Sequence, residues 1–168
     1  TLVTQESDSE IEDGVALVRK LVKKASKDER TMQPLSKLTI GFKCGGSDGF
    51  SGITANPLCG YLTDYFTSIG GKVILTEVPE MFGAEKELLK RCVNENVFKK
   101  AVSMVESFKE YFVSHNQVVY ENPSPGNKDG GITTLEEKSS GCITKGGNSA
   151  VTDVLALYEE CKTDGLSL

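Results

Sequence analysis

The chain has 168 residues, 38% of them hydrophobic and 26% charged, with a net charge of −5. That is the length of one domain, single over 1–168, with enough apolar sequence to bury a core without staples. The acidic balance argues against a nucleic-acid partner, since a phosphate backbone wants a basic face, and no apolar run reaches the length of a membrane helix.

The opening Thr1-Leu2-Val3-Thr4-Gln5-Glu6 lacks the basic and apolar regions of a secretion signal, so a cytoplasmic protein is expected. Residues 1–8 read as a frayed tail. Ser9 and Glu12 then make a capping-box spacing, and Ile11, Val15, Val18 and Val22 succeed one another at helical period, giving a helix that packs one face. After a polar loop over 27–34, Leu38-Thr39-Ile40-Gly41-Phe42 reads as a buried strand.

The glycine-rich stretch beyond that strand is the least ordinary in the chain. Cys44-Gly45-Gly46-Ser47-Asp48-Gly49-Phe50-Ser51-Gly52 leaves the strand and feeds a helix whose start is marked by Asn56 and Pro57. In a parallel sheet this is the carboxyl end of a strand, where ligands bind. The loop is either a tight connection capped locally by serine and aspartate, or an anion or metal site at the head of the helix. Its glycines fit neither G-x-G-x-x-G nor the P-loop pattern. The five cysteines, at 44, 59, 92, 142 and 161, are odd in number and widely spaced, with no C-x-x-C, which argues against a disulfide framework or a zinc clip. Cys59 and Cys92 fall on apolar helical faces; Cys44 opens the glycine loop and is evenly balanced between packing and a site role.

Leu58, Tyr61, Leu62, Tyr65, Phe66 and Ile69 keep helical spacing up to Gly70-Gly71, and Lys72-Val73-Ile74-Leu75-Thr76 is a second buried strand. The result is a right-handed β-α-β unit with parallel strands, which brings the turns after both strands onto one rim of the sheet. The second turn carries Glu77 and Glu80 around Pro79, carboxylates suited to a divalent cation or to acid and base work. Glu85 reads as a first-turn helical acid. Asn94 caps a long helix with Phe98, Ala101, Val102, Val105, Phe108 and Phe112 inward, and the only histidine, His115, ends it as a solvated cap, which argues against serine- or cysteine-histidine catalysis. The proline- and glycine-rich segment 122–131 reads as a loop, either linker or binding loop. Thr134 to Gly141 gives a short capped helix, Lys145-Gly146-Gly147 a turn with a cation, Val151 to Tyr158 a last helix, and Gly165-Leu166-Ser167-Leu168 the start of a strand.

The segments Gly41 to Gly52 with Thr54 to Pro57, Glu77-Val78-Pro79-Glu80 with Gly83-Ala84-Glu85, Asn122 to Lys128 with Gly130-Gly131, Glu137-Lys138-Ser139 and Lys145-Gly146-Gly147 together resemble the sugar-acid dehydratase family of altronate and galactarate dehydratases. Their order and spacing fit over about three-quarters of the chain. The resemblance implies a Rossmann-like α/β fold with a short, mainly parallel sheet flanked by helices. It implies a hydro-lyase that converts a small-molecule sugar acid to a 2-keto-3-deoxy acid with a divalent metal, Fe²⁺ or Mn²⁺, an iron–sulfur cluster being a further option. It also implies that the chain is a fragment of a longer dehydratase whose other domains are partners of the same polypeptide; a homo-oligomer is expected. The expected catalytic residues are Asp48, Glu77, Glu80 and Lys128. Gly45, Gly46, Ser47, Ser51, Asn56, Asn127 and Lys145 are expected to hold substrate, and Cys44, Asp48 and Glu80 a metal. The competing reading is a non-catalytic domain that binds an acidic sugar or phosphate through the same loop.

Overall fold

A computed structural model describes residues 2–168. The chain forms two compact units, Thr1–Gln33 and Pro34–Leu168. In the first, the segment expected to fray carries a 3-10 turn at Thr4–Glu6, followed by α1 (Glu10–Ala25). Ser9 is the N-cap by position, but its side chain does not close the capping box; Ser7 Oγ instead donates to Asp13 Oδ2 at 2.7 Å. Glu10, Glu12 and Asp13 in the first turn and Lys23 and Lys24 in the last match the helix dipole. The expected packing face is not covered: Ile11, Val18, Leu21 and Val22 are all exposed, and no residue of α1 is buried.

The second unit is built on β1 (Thr39–Phe42), α2 (Ala55–Ser68), β2 (Lys72–Leu75), α3 (Glu85–Leu89), α4 (Glu95–Ser114), α5 (Pro125–Asp129), α6 (Leu135–Ile143), β3 (Val151–Asp153) and β4 (Gly165–Ser167). The four strands form one parallel sheet in the order β1-β2-β4-β3, flanked by helices, which is the expected α/β class. Val73, Leu75, Leu166 and Val151 fill its centre and pack with Met81, Leu88, Val97 and Ala101. Asn94 caps α4 as expected, its side chain accepting from Val97 N at 3.0 Å; Ala101 and Val105 face inward, while Phe98 is exposed and Val97 takes its place.

Four expectations are corrected. First, β1 is an edge strand rather than a buried one, and its residues alternate between exposed and half-buried. Second, α2 turns its apolar stripe outward: Leu58, Tyr61, Leu62 and Tyr65 are exposed, whereas Asn56, Gly60 and Thr63 are buried. The reason lies in the turn at 144–147, against which α2 packs. A Cβ at Gly60 would run into the carbonyl oxygen of Thr144, so only the small-residue face permits the approach. Third, Val151 begins a strand, not a helix. Val151 N donates to Arg91 O and its carbonyl accepts from Val93 N, and β3 then pairs with β4; this tertiary pairing overrides the helical spacing, and Tyr158, with φ of 67°, stands where a helix cannot continue. Fourth, the segment 122–131 is not irregular throughout. Pro125 supplies a fixed φ at the start of α5, and Ser124 and Asn127 close a capping box around it.

Candidate functional site

The turns after β1 and β2 meet. The parallel register Phe42↔Leu75 brings both strand ends to one edge, where Thr76 Oγ1 donates to Phe42 O at 2.8 Å and the backbone N–H of Cys44 donates to Glu77 Oε2. Glu77 adopts a left-handed backbone, φ 68°, which re-aims the chain into a 3-10 turn over Val78–Met81 and brings Glu80 inward. A cleft of ≈ 740 Å³ opens above this junction, lined among others by Cys44, Gly45, Gly46, Glu77, Glu80 and Lys138.

At its floor two thiols and a cation are packed together. Cys44 Sγ lies 3.9 Å from Cys142 Sγ and 2.9 Å from Ser47 Oγ. Lys145 Nζ lies 3.1 Å from Cys142 Sγ and 3.8 Å from Cys44 Sγ. The hydrogen bond with Cys142 lowers the Cys44 thiol to about 6, Ser47 and Lys145 adding to it against burial and the charge of Glu80. Cys142 is raised by the same hydrogen bond and by its burial. The two shifts run in opposite directions because each sulfur is the other's hydrogen-bond partner: Cys44, which lines the cleft, is pushed down and Cys142 is pushed up. Burial works to lower Lys145, but its hydrogen bond to Cys142 and the charge of the two sulfurs win and raise it, so it stays an ammonium.

Glu80 is held from one side only. Its Oε1 accepts from Lys138 Nζ at 3.1 Å and Asn122 Nδ2 at 3.2 Å, while its Oε2 is buried with no hydrogen-bond partner among the described residues. Lys138 in turn donates to Asn122 Oδ1 at 2.7 Å and Asn127 Oδ1 at 3.0 Å. The Cys44 and Cys142 sulfurs and a Glu80 carboxylate oxygen all lie within 4.8 Å of one another, a donor set for one cation.

Residues 35–168 match the family model described as D-galactarate/altronate dehydratase, C-terminal. The chain belongs to this family. It is 58% identical to altronate dehydratase of Bacillus subtilis (strain 168) over 167 residues, which is 99% of this chain and 34% of that protein. It is 39% identical to galactarate dehydratase (L-threo-forming) of Escherichia coli (strain K12) over 148 residues, 88% of this chain and 28% of the relative. It is also 31% identical over 150 residues to (2R)-sulfolactate sulfo-lyase subunit beta of Chromohalobacter salexigens, 88% of this chain and 36% of that subunit. The chain thus spans about a third of the length of the curated relatives it matches.

Of the dehydratase-family residues singled out from sequence, the structure brings Cys44, Gly45, Gly46, Ser47, Glu77, Glu80, Asn127 and Lys145 to the cleft or its floor. Asn127 works through its side chain, donating to Ser47 O at 2.9 Å and so tying α5 to the glycine loop. Asp48 borders the cleft but stands outside the sulfur cluster: one oxygen of its carboxylate, Oδ1, accepts from Ser51 Oγ, Ser51 N and Phe50 N, hydrogen bonds that also hold it below the usual carboxylate range. Ser51 is thereby a brace of the loop. Asn56 donates to Gly141 O at 3.0 Å and lines a second, smaller cavity of ≈ 320 Å³ behind the loop. Lys128 is exposed on α5 and is not among the residues lining the cleft. Sequence reasoning misses Lys138, Cys142 and Asn122. Lys138, Cys142 and Lys145 recur at i, i+4 and i+7 along α6 and the 3-10 turn after it, a polar stripe at helical spacing that carries the signal.

Proposed function

We propose that this chain is the metal-binding part of a hydro-lyase that dehydrates a sugar acid of the altronate or galactarate class to a 2-keto-3-deoxy acid. Three of the relatives' names describe eliminations, two of water and one of a sulfo group, and family membership covers the whole cleft. The observation that carries the reading is the unpartnered Glu80 Oε2, buried in a residue whose carboxylate shares a donor set with the Cys44 and Cys142 sulfurs. A buried carboxylate oxygen costs free energy unless something satisfies it, and a divalent cation does so.

Cys44, Cys142 and Glu80 would hold that cation in place of the set Cys44, Asp48 and Glu80. Two sulfur donors favour Fe²⁺ over Mn²⁺. When bound, the metal supplies positive charge for the oxygens of the substrate. The chain's own residues do the rest. The glycine loop at Gly45 and Gly46 presents backbone close to the cleft and suits the substrate carboxylate. Glu77, about one-third exposed and tethered by one oxygen to the Cys44 N–H, takes the proton next to that carboxylate. Lys138 fixes Glu80, and Lys145 balances the charge of the thiols.

The test is turnover of altronate and galactarate by the full-length protein, reduced and supplied with Fe²⁺. Formation of a keto-deoxy acid that is lost in Glu77→Gln, with sugar-acid binding retained, supports the reading. Binding of the same acids by calorimetry without any product, in metal-loaded wild type, overturns it in favour of a non-catalytic binding domain.

A further inference from the structure

We propose that Cys44 and Cys142 form a peroxide-reactive dithiol, in which Cys44 is oxidised first and Cys142 closes a reversible disulfide. The inference stands on the geometry of the sulfurs and does not require the dehydratase reading.

Their placement differs from that of the other cysteines. Cys92 Sγ and Cys161 Sγ donate to the carbonyls of Leu88 and Thr163, whereas Cys44 and Cys142 contact each other. Their sulfurs are 3.9 Å apart, so closing a bond of about 2.05 Å asks for a movement of about 2 Å. Cys142 sits in the last turn of α6 and is fixed. Cys44 is followed by Gly45 and Gly46, where even an added Cβ would meet no heavy atom within 4 Å, so the loop has room for the shift. Cys44 also lines the open cleft, which gives an oxidant access that Cys142, behind it, lacks. Lys145 Nζ stands beside both sulfurs, 3.8 Å from Cys44 Sγ and 3.1 Å from Cys142 Sγ, and does not lie on the line along which they would join.

In the first step the Cys44 thiolate attacks one oxygen of hydrogen peroxide. An S–O bond forms, the O–O bond breaks, and hydroxide leaves and takes up a proton; sulfur is oxidised to a sulfenic acid and the peroxide is reduced. In the second, Cys142 sulfur attacks Cys44 sulfur. The S–S bond forms, the S–O bond breaks, and the hydroxyl departs as water with the Cys142 proton. The sum is two thiols and one peroxide giving one disulfide and two waters. An added dithiol reverses it by exchange. The cross-link would pin the glycine loop to α6 and take both sulfurs away from any cation.

The experiment treats the reduced, chelator-stripped full-length protein with hydrogen peroxide and maps its peptides without reduction. The expected product is a Cys44–Cys142 cross-linked pair, lighter by two hydrogens, cleared by dithiothreitol and formed at least about tenfold faster than oxidation of Cys59 or Cys161. With dimedone present, Cys142→Ser is expected to trap the sulfenic acid on Cys44 while wild type traps little. Cys44 running on to sulfinic acid with Cys142 still a thiol in wild type would overturn the proposal, as would faster oxidation of the other three cysteines. Peptide mapping of wild type alone decides the matter if the variant fails to fold.

Discussion

Lys138 Nζ sits 3.1 Å from one oxygen of Glu80 and leaves the other oxygen of the same carboxylate buried and unpaired. Both side chains are almost fully enclosed, at 8% and 14% exposure, so the pair is not a surface ion pair. Removing one partner strands the other charge in a poor dielectric. Lys138→Met is expected to destabilise the protein by about 3–5 kcal/mol, and Lys138→Met with Glu80→Gln to regain a large part of that loss. Urea midpoints of the two variants check it; an equal loss in both would show that Lys138 acts by packing rather than by charge.

The approach of α2 to the 144–147 turn rests on a missing side chain. A Cβ at Gly60 meets the Thr144 carbonyl, and backbone cannot step aside as a flexible side chain would. Gly60→Ala is expected to cost about 1–3 kcal/mol. Gly45→Ala has open space around it and should leave stability within about 0.5 kcal/mol of wild type. Thermal denaturation of both variants separates steric from conformational demands on glycine.

The convergence of the two rim turns was legible because three signals agreed: an apolar run, a glycine-rich break, and a second apolar run after one helix. The parallel register then left Cys44 and Glu77 no choice but to meet. The facing of α2 was not legible, since Leu58, Tyr61 and Leu62 keep the helical period perfectly well on the side that stays exposed. Periodicity reports an apolar face; it does not report that a backbone turn needs the space beside Gly60. Val151 failed for a related reason: its neighbours Arg91, Val93 and Leu166 lie far away in sequence, and their backbone hydrogen bonds outvote local spacing. Lys138 and Cys142 were hidden by ordinary surroundings, a charged residue and a small apolar one on a helix, until Asn122 and Glu80 closed around them.

Asp64 clamps the turn that carries Lys145. Its carboxylate accepts from Asn148 N and Ser149 Oγ, at 2.8 and 2.7 Å. Burial works against its charge, but those hydrogen bonds outweigh it and hold the carboxyl below its usual value. An acid depressed in the folded state adds stability that is complete above the unfolded value and fades as pH falls through the folded one. Wild type should therefore lose stability more steeply than Asp64→Asn as pH falls below about 4. Chemical denaturation across that range measures the two slopes, and parallel curves would contradict the clamp.

Asp48 is expected to matter through the loop it braces. Asp48→Ala removes the acceptor of Phe50 N, Ser51 N and Ser51 Oγ together, and the glycine loop should exchange its amide hydrogens faster over 45–52 while α4 and the central strands keep their protection. Turnover should fall with it. Unchanged exchange combined with lost turnover would instead place Asp48 in contact with the substrate.

The central claim is that Cys44, Cys142 and Glu80 form one cation site at the junction of the two turns. Anomalous scattering at the iron edge, from crystals of the reduced full-length protein loaded with Fe²⁺, tests it directly. The expected result is a single peak lying against both sulfurs and a Glu80 carboxylate oxygen. A peak at Asp48 or elsewhere in the protein, with both thiols free, would contradict it.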